Sequence, residues 1–214
     1  MCWNENVSLN TFLFSSFVLV LIVYNNYYTK YKIKEFNNTW TYIFYASFIF
    51  MQLIEFFIWR NINNKFYNNF FSILGLLLLF IQPMASIMIL QNIELRNLLL
   101  ASYLLVATPY SIYEFYTKHI HTVVSKRGHL KWILFKNFSI VWVVWLFFFL
   151  FSFVYQKKWS GVLFAFITLL ISFINYINDE TMGSMWCWIV NSVMIYYAIY
   201  LLIYLPFLEK QIIC

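Results

Sequence analysis

Three side chains in one short stretch, Gln52, Glu55 and Trp59, have the types and spacing for chemistry. They stand at i, i+3 and i+7, so an α-helix would line them up on one face. A carboxylate flanked by an amide and an indole can bind a cation or take up and release a proton. A second series, Cys187, Asn191, Met194 and Ala198, has comparable helical spacing and adds a thiol and another amide. Cys2, His119, His121 and His129 supply further sulfur and imidazole donors. Zinc accepts thiolate, imidazole and carboxylate ligands in a tetrahedron, which makes Cys2, Glu55, His119, His121, His129 and Cys187 the candidate metal ligands. A cysteine nucleophile with a histidine base is a variant of that chemistry. The HIH and GH spacings are not a specific metal motif, and ordinary surface histidines of a basic loop fit them better.

Whether these groups meet depends on the elements that carry them. A helix that crosses a bilayer needs about 20 mostly apolar residues. Seven windows qualify, at residues 8–27, 40–59, 70–90, 98–116, 133–155, 162–177 and 184–205. The connections are short, the longest being the stretch around KHIHTVVSKRGHLKW, so the expected architecture is one all-α, polytopic membrane helix bundle. Runs of this length suit helices rather than barrel strands of about 10 residues. Pro83 and Pro109 fall inside predicted spans, where neighbouring helices or waters must satisfy the carbonyl that each proline leaves without a donor. The first apolar run lacks a basic lead and a small-residue cleavage motif, so it reads as a retained span.

Alternating passage through the membrane places every polar residue at a depth. If the face holding the N-terminus is side A, the second helix ends there with Gln52, Glu55 and Trp59. Glu114 and the three histidines follow at the end of the fourth helix. Asn175 closes the sixth helix, and Trp186, Cys187 and Asn191 open the seventh, at the same level. Side B holds lysines, Arg96, Glu35, Glu94, Glu209 and Cys214, and no histidine. The reactive residue types are thus polarised toward one face. A carboxylate at the centre of a span costs about 2.5–3.5 kcal/mol on insertion scales, which makes Glu55 a functional candidate by default. The bland alternative is a Glu55 that snorkels to the surface or pairs with Arg60 or a lysine of the neighbouring connection, holding helices together without a ligand. Cys2 and Cys187 can equally be small buried apolar groups, and Trp40, Trp59, Trp132 and Trp159 read as interface anchors.

Composition agrees with this picture. Only 10% of the 214 residues are charged and 63% are hydrophobic, against about 25% charged in a soluble domain. The expected surroundings are lipid. The net charge of +6 is spread over several connections and gives no nucleic-acid-binding face. Seven Lys and Arg residues fall on each side, so the positive-inside rule does not orient the chain. Three cysteines are too few for a disulfide framework, and no internal repeat marks an inverted-repeat transporter.

The segments MCWNENVS, MQLIEFFIW and GSMWCW resemble motifs of an uncharacterised polytopic membrane protein family of large DNA viruses and algae. Looser bacterial relatives use an MCFS start and a QQLIEG-type second helix. The resemblance implies a seven-helix protein with motif residues at Cys2, Ser8, Gln52, Glu55, Trp59, Trp186 and Cys187, and it implies no activity. Two better-known seven-helix families are set aside. Residues 184–205 contain neither the lysine of a retinal protein nor the histidine pair of ceramidase-like membrane hydrolases.

Three function classes follow. In the first, Gln52, Glu55, Cys187 and Asn191 line a polar pocket opening toward side A that binds or transports a small ligand, ion or proton. A cavity reaching Glu55 would distinguish it. In the second, the side-A cysteines, histidines and Glu55 hold a metal that activates water against a lipid-like substrate. The third is a structural or interaction protein whose polar residues serve helix packing. Substrate, cofactor, organelle and oligomeric state are not encoded in any recognisable motif.

Overall fold

The computed structural model describes residues 4–133 and 140–208. Seven helices run α1 Glu5–Tyr28, α2 Thr39–Arg60, α3 Lys65–Met88, α4 Ile93–Thr117, α5 Ile140–Tyr155, α6 Trp159–Tyr176 and α7 Met182–Leu208. Among the described residues, all but α5 are long and apolar enough to cross a membrane; the described part of α5 is a shorter apolar helix. The chain is an integral, multi-pass membrane protein.

The first four helices start on asparagines. Asn4, Asn38, Asn64 and Asn92 each accept from a backbone N–H of the first turn, at 2.9–3.2 Å. An Asn side chain in this position satisfies one of the donors that a helix start leaves open. α2 packs between α1 and α3, α3 packs on α5, and α6 lies along α7. Small and polar residues of α3 make the close contacts: Ser86 Oγ donates to Phe149 O, and Ser152 Oγ of α5 donates back to Ser86 O, both at 2.6 Å. Such short side chains let two backbones approach within hydrogen-bond reach of each other. Pro83 deprives Leu79 O, four residues earlier, of its usual donor. The indole of Trp145 on α5 donates to that carbonyl at 2.8 Å, the repair by a neighbouring helix that a membrane proline requires.

α7 departs from the continuous helix expected over 184–205. Its regular part ends at Val190, resumes at Val193–Ile199 and widens into a π turn at Tyr200–Tyr204. The break has a local cause. Asn191 Nδ2 takes Cys187 O at 2.8 Å, so the backbone N–H of Asn191 turns to Trp188 O at 3.0 Å. A short polar side chain here competes with the helical ladder.

The histidine-bearing connection is not the plain solvated loop expected. It folds back as a hairpin, β1 Thr122–Val124 paired antiparallel with β2 Leu130–Trp132. Gly128, at φ +78°, makes its turn. Asn68 clasps the edge of β1, donating to Thr122 O and accepting from Thr122 N, both at 2.9 Å. Ser72 meets the Thr122 hydroxyl at 2.8 Å. On the far side Ser184 Oγ donates to Leu130 O at 2.7 Å, and Ser125 donates to Asp179. The hairpin therefore plugs the side-A mouth between α3 and α7. Trp132, expected as an interface anchor, is buried instead, its six-membered ring lying where a Cβ on Gly75 would sit, at 1.9 and 2.4 Å.

Candidate functional site

The helical spacing of Gln52 and Glu55 puts both on the inner face of α2, and neither has accessible surface. Gln52 Nε2 donates to Glu55 Oε2 at 2.9 Å. Glu55 lies five residues before Arg60, about 7.5 Å of helix from the side-A end. It does not snorkel: Arg60 stands beside Glu5 of α1, at 3.9 Å, and Glu55 stays in the interior. Trp59, one turn on, is half-buried.

Glu55 belongs to the wall of a cavity of about 300 Å³, at the lower end of the range for small-molecule sites. α2 contributes Met51 and Glu55, α3 contributes Leu79, the hairpin Leu130 and Trp132, and α5 contributes Trp142. The α6–α7 connection and the start of α7 close it with Ile177, Glu180, Thr181, Met182, Gly183, Ser184 and Cys187. Because Glu55 itself has 0% accessible surface, the open space ends just short of its carboxylate.

The wall carries two carboxylates, Glu55 and Glu180, and Lys131 of β2 pairs with Glu180 at 2.6 Å. Glu180 adopts φ +56°, a left-handed conformation uncommon for a residue with a side chain, and its N–H closes a tight turn on Ile177 O at 3.1 Å.

The other sequence candidates separate into three groups. Cys187 joins Glu55 in the cavity wall. Asn191, Met194 and Cys187 are buried as one stripe, but Asn191 spends its amide N–H groups on Cys187 O and on Phe48 O of α2. Trp186 is buried in an aromatic cluster with Trp145 and Phe149, its indole donating to Thr168 at 3.1 Å, and takes no part in the cavity.

The histidines do not share one environment. His119 and His121 are exposed. His129 is buried, contrary to the surface reading, with its ring edge-on to Tyr176 at 5.4 Å. Burial holds its imidazole below the ordinary pKa of 6.5, with Arg127 reinforcing the shift and Asp179 opposing it. Glu114 is buried at the end of α4 and paired with Lys118 at 2.7 Å. Among the described residues no group of three or more His, Cys, Asp or Glu side chains is placed to hold a metal. Cys2 lies outside the described residues, as do 134–139 of the predicted fifth span.

Sequence reasoning overlooked Glu180, Thr181, Ser184 and Trp142. The first three stand in the stretch DETMGS, and two adjacent carboxylates on side A were a usable signal. Trp142 sits in an almost wholly apolar run and carried none. Comparison with protein-family models, curated proteins and solved structures finds no match to this chain.

Proposed function

We propose that this membrane protein binds a small ligand carrying a positive charge and hydrogen-bond donors in the side-A cavity, with Glu55 as the recognising group. The observation that supports this most is the placement of Glu55, bonded to Gln52, in the wall of a cavity on the inner face of α2. A carboxylate held in the membrane interior is expensive to bury and is retained where it has a task. On this reading α5 completes a seventh crossing, Cys187 and Ser184 shape the cavity, and Gln52 orients the carboxylate. The resemblance of MQLIEFFIW and GSMWCW to an uncharacterised family fits, since Gln52, Glu55 and Cys187 fall within those segments. A purely structural role suits Asn191, whose amide joins α7 to Phe48 O of α2; it accounts less well for a carboxylate beside an open volume.

A thermal-shift experiment with n-butylammonium tests the reading. A ligand at ten times its Kd stabilises the folded state by about 1.4 kcal/mol, a shift of about 3–6 °C for a chain of this size. Wild type shows the shift and Glu55→Gln loses it. Absence of a shift in wild type, or an equal shift in the variant, overturns the proposal.

A further inference from the structure

Three buried side chains at one depth each keep an oxygen with no hydrogen-bond partner: Ser15 Oγ on α1, Gln52 Oε1 on α2 and Asn191 Oδ1 on α7. Ser15 and Gln52 have no accessible surface, and Asn191 is 4% exposed. Two observed layers bracket them. Toward side B, Val18, Ile49 and Met194 pack in one hydrophobic cluster, and they stand three residues along the chain from Ser15, Gln52 and Asn191 respectively. Because α1 and α7 run away from side A and α2 runs toward it, each of those three steps is one turn toward side A. On the side-A flank, Trp188 Nε1 of α7 donates to Thr11 Oγ1 of α1 at 3.0 Å, a turn above Asn191 and Ser15. Asn191 Nδ2 also reaches Phe48 O of α2, one turn from Gln52, at 3.4 Å. The three oxygens therefore share a layer between α1, α2 and α7, about 12–15 Å of helix below the side-A ends.

The chemistry of the layer is that of acceptors. Gln52 commits its amide nitrogen to Glu55 Oε2, and Asn191 commits its own to Cys187 O and Phe48 O, so the remaining amide atom of each is a carbonyl oxygen. Donation through the nitrogen polarises an amide and makes its oxygen the stronger acceptor. Buried polar atoms are as a rule partnered, and an exception asks for an ion or a water. One water has protons for two of the three oxygens; a cation bonds all three at once. α7 breaks at this same point, its regular helix stopping at Val190 and resuming at Val193. In transporters, interrupted membrane helices are where sodium is coordinated. Neutral oxygens suit a monovalent ion, whereas calcium and magnesium sites draw on carboxylates.

We propose that Ser15, Gln52 and Asn191 form a sodium-binding site that ties α1, α2 and α7 together. The direct bond from Asn191 to the α2 backbone holds the helices close, which suits sodium over the larger potassium. The site is separate from the side-A cavity, since none of its three ligands lines that space, and it stands whatever occupies the cavity.

Scanning fluorimetry of the full chain in detergent tests the site by comparing sodium chloride with potassium chloride at equal ionic strength, so that screening is common to both. Sodium at ten times its Kd raises the wild-type Tm by about 3–6 °C over potassium. Ser15→Ala removes an oxygen that has no hydrogen-bond partner within the protein. Its Tm in potassium is therefore at or above that of wild type, and the sodium increment disappears. Ser15→Cys, close to serine in size and a poor ligand for a hard cation, loses the increment as well and serves should the alanine variant not fold. Equal wild-type Tm in the two salts, as a buried water in the layer would give, or a sodium increment that survives in the Ser15 variants, overturns the proposal.

Discussion

Gly75 and Trp132 form a contact whose energetics change sign with the partner. The hairpin reaches the helices through Trp132, whose Cη2 and Cζ3 stand 1.9 and 2.4 Å from the position of a Cβ on Gly75. In Gly75→Ala that ring must move, and it is 7% exposed with little room to do so. Overpacking of this kind costs about 1–3 kcal/mol, a fall in Tm of about 2–12 °C at roughly 2–4 °C per kcal/mol. Trp132→Ala alone costs about 3–5 kcal/mol. Once the ring is gone, the atoms that crowd that Cβ most closely are gone with it, every other neighbour standing at least 3.2 Å away, and the same alanine improves the helix by about 0.5–1 kcal/mol, because glycine is the poorer helix former. Gly75→Ala therefore destabilises wild type and stabilises Trp132→Ala. Scanning fluorimetry of the four proteins in one detergent at one scan rate reads this cycle. A fall of equal size in both backgrounds refutes the packing of the hairpin on α3.

Three further outcomes follow from the same coordinates. Trp145→Phe strips the donor from Leu79 O and costs about 1–3 kcal/mol; the loss is smaller in a Pro83→Ala background, where a backbone N–H returns, and an equal loss in both contradicts the repair. His129 has a depressed pKa in the folded state, so the unfolded chain binds the proton more readily and stability, complete above about pH 6.5, declines as pH falls below it. His129→Gln flattens that decline in a Tm-against-pH series, and an unchanged slope refutes the burial argument. Lys131→Met removes the ammonium that pairs with Glu180 in the cavity wall, so butylammonium binds more tightly at low salt and the gain shrinks as salt is added; unaltered affinity speaks against charge matching.

Hydropathy made the spans legible because the bilayer sets a length that the sequence must meet. It misplaced several helix starts in one direction. The windows opened at Ser8, Phe70 and Leu98, whereas the helices begin at Glu5, Lys65 and Ile93. A window measures apolar thickness, while Asn4, Asn64 and Asn92 start the helix a turn earlier in polar sequence. The hairpin was illegible for the opposite reason. Its strands are three residues each, too short for a periodic pattern, and they are held by Asn68, Ser72 and Ser184 from distant elements. Within the site, Gln52, Glu55 and Cys187 were visible because helical spacing converts directly into a shared face. Trp142 was invisible: its role depends on where α5 meets α7, a relation that no local pattern records.

The central claim is that Glu55 recognises a cation inside the membrane, and calorimetric titration of n-butylammonium into nanodisc-embedded protein tests it most directly. Saturable binding to wild type, absent in Glu55→Gln and retained in Asn191→Ala, is the result the account predicts. Equal binding to all three proteins, or none to a folded wild type, would contradict it.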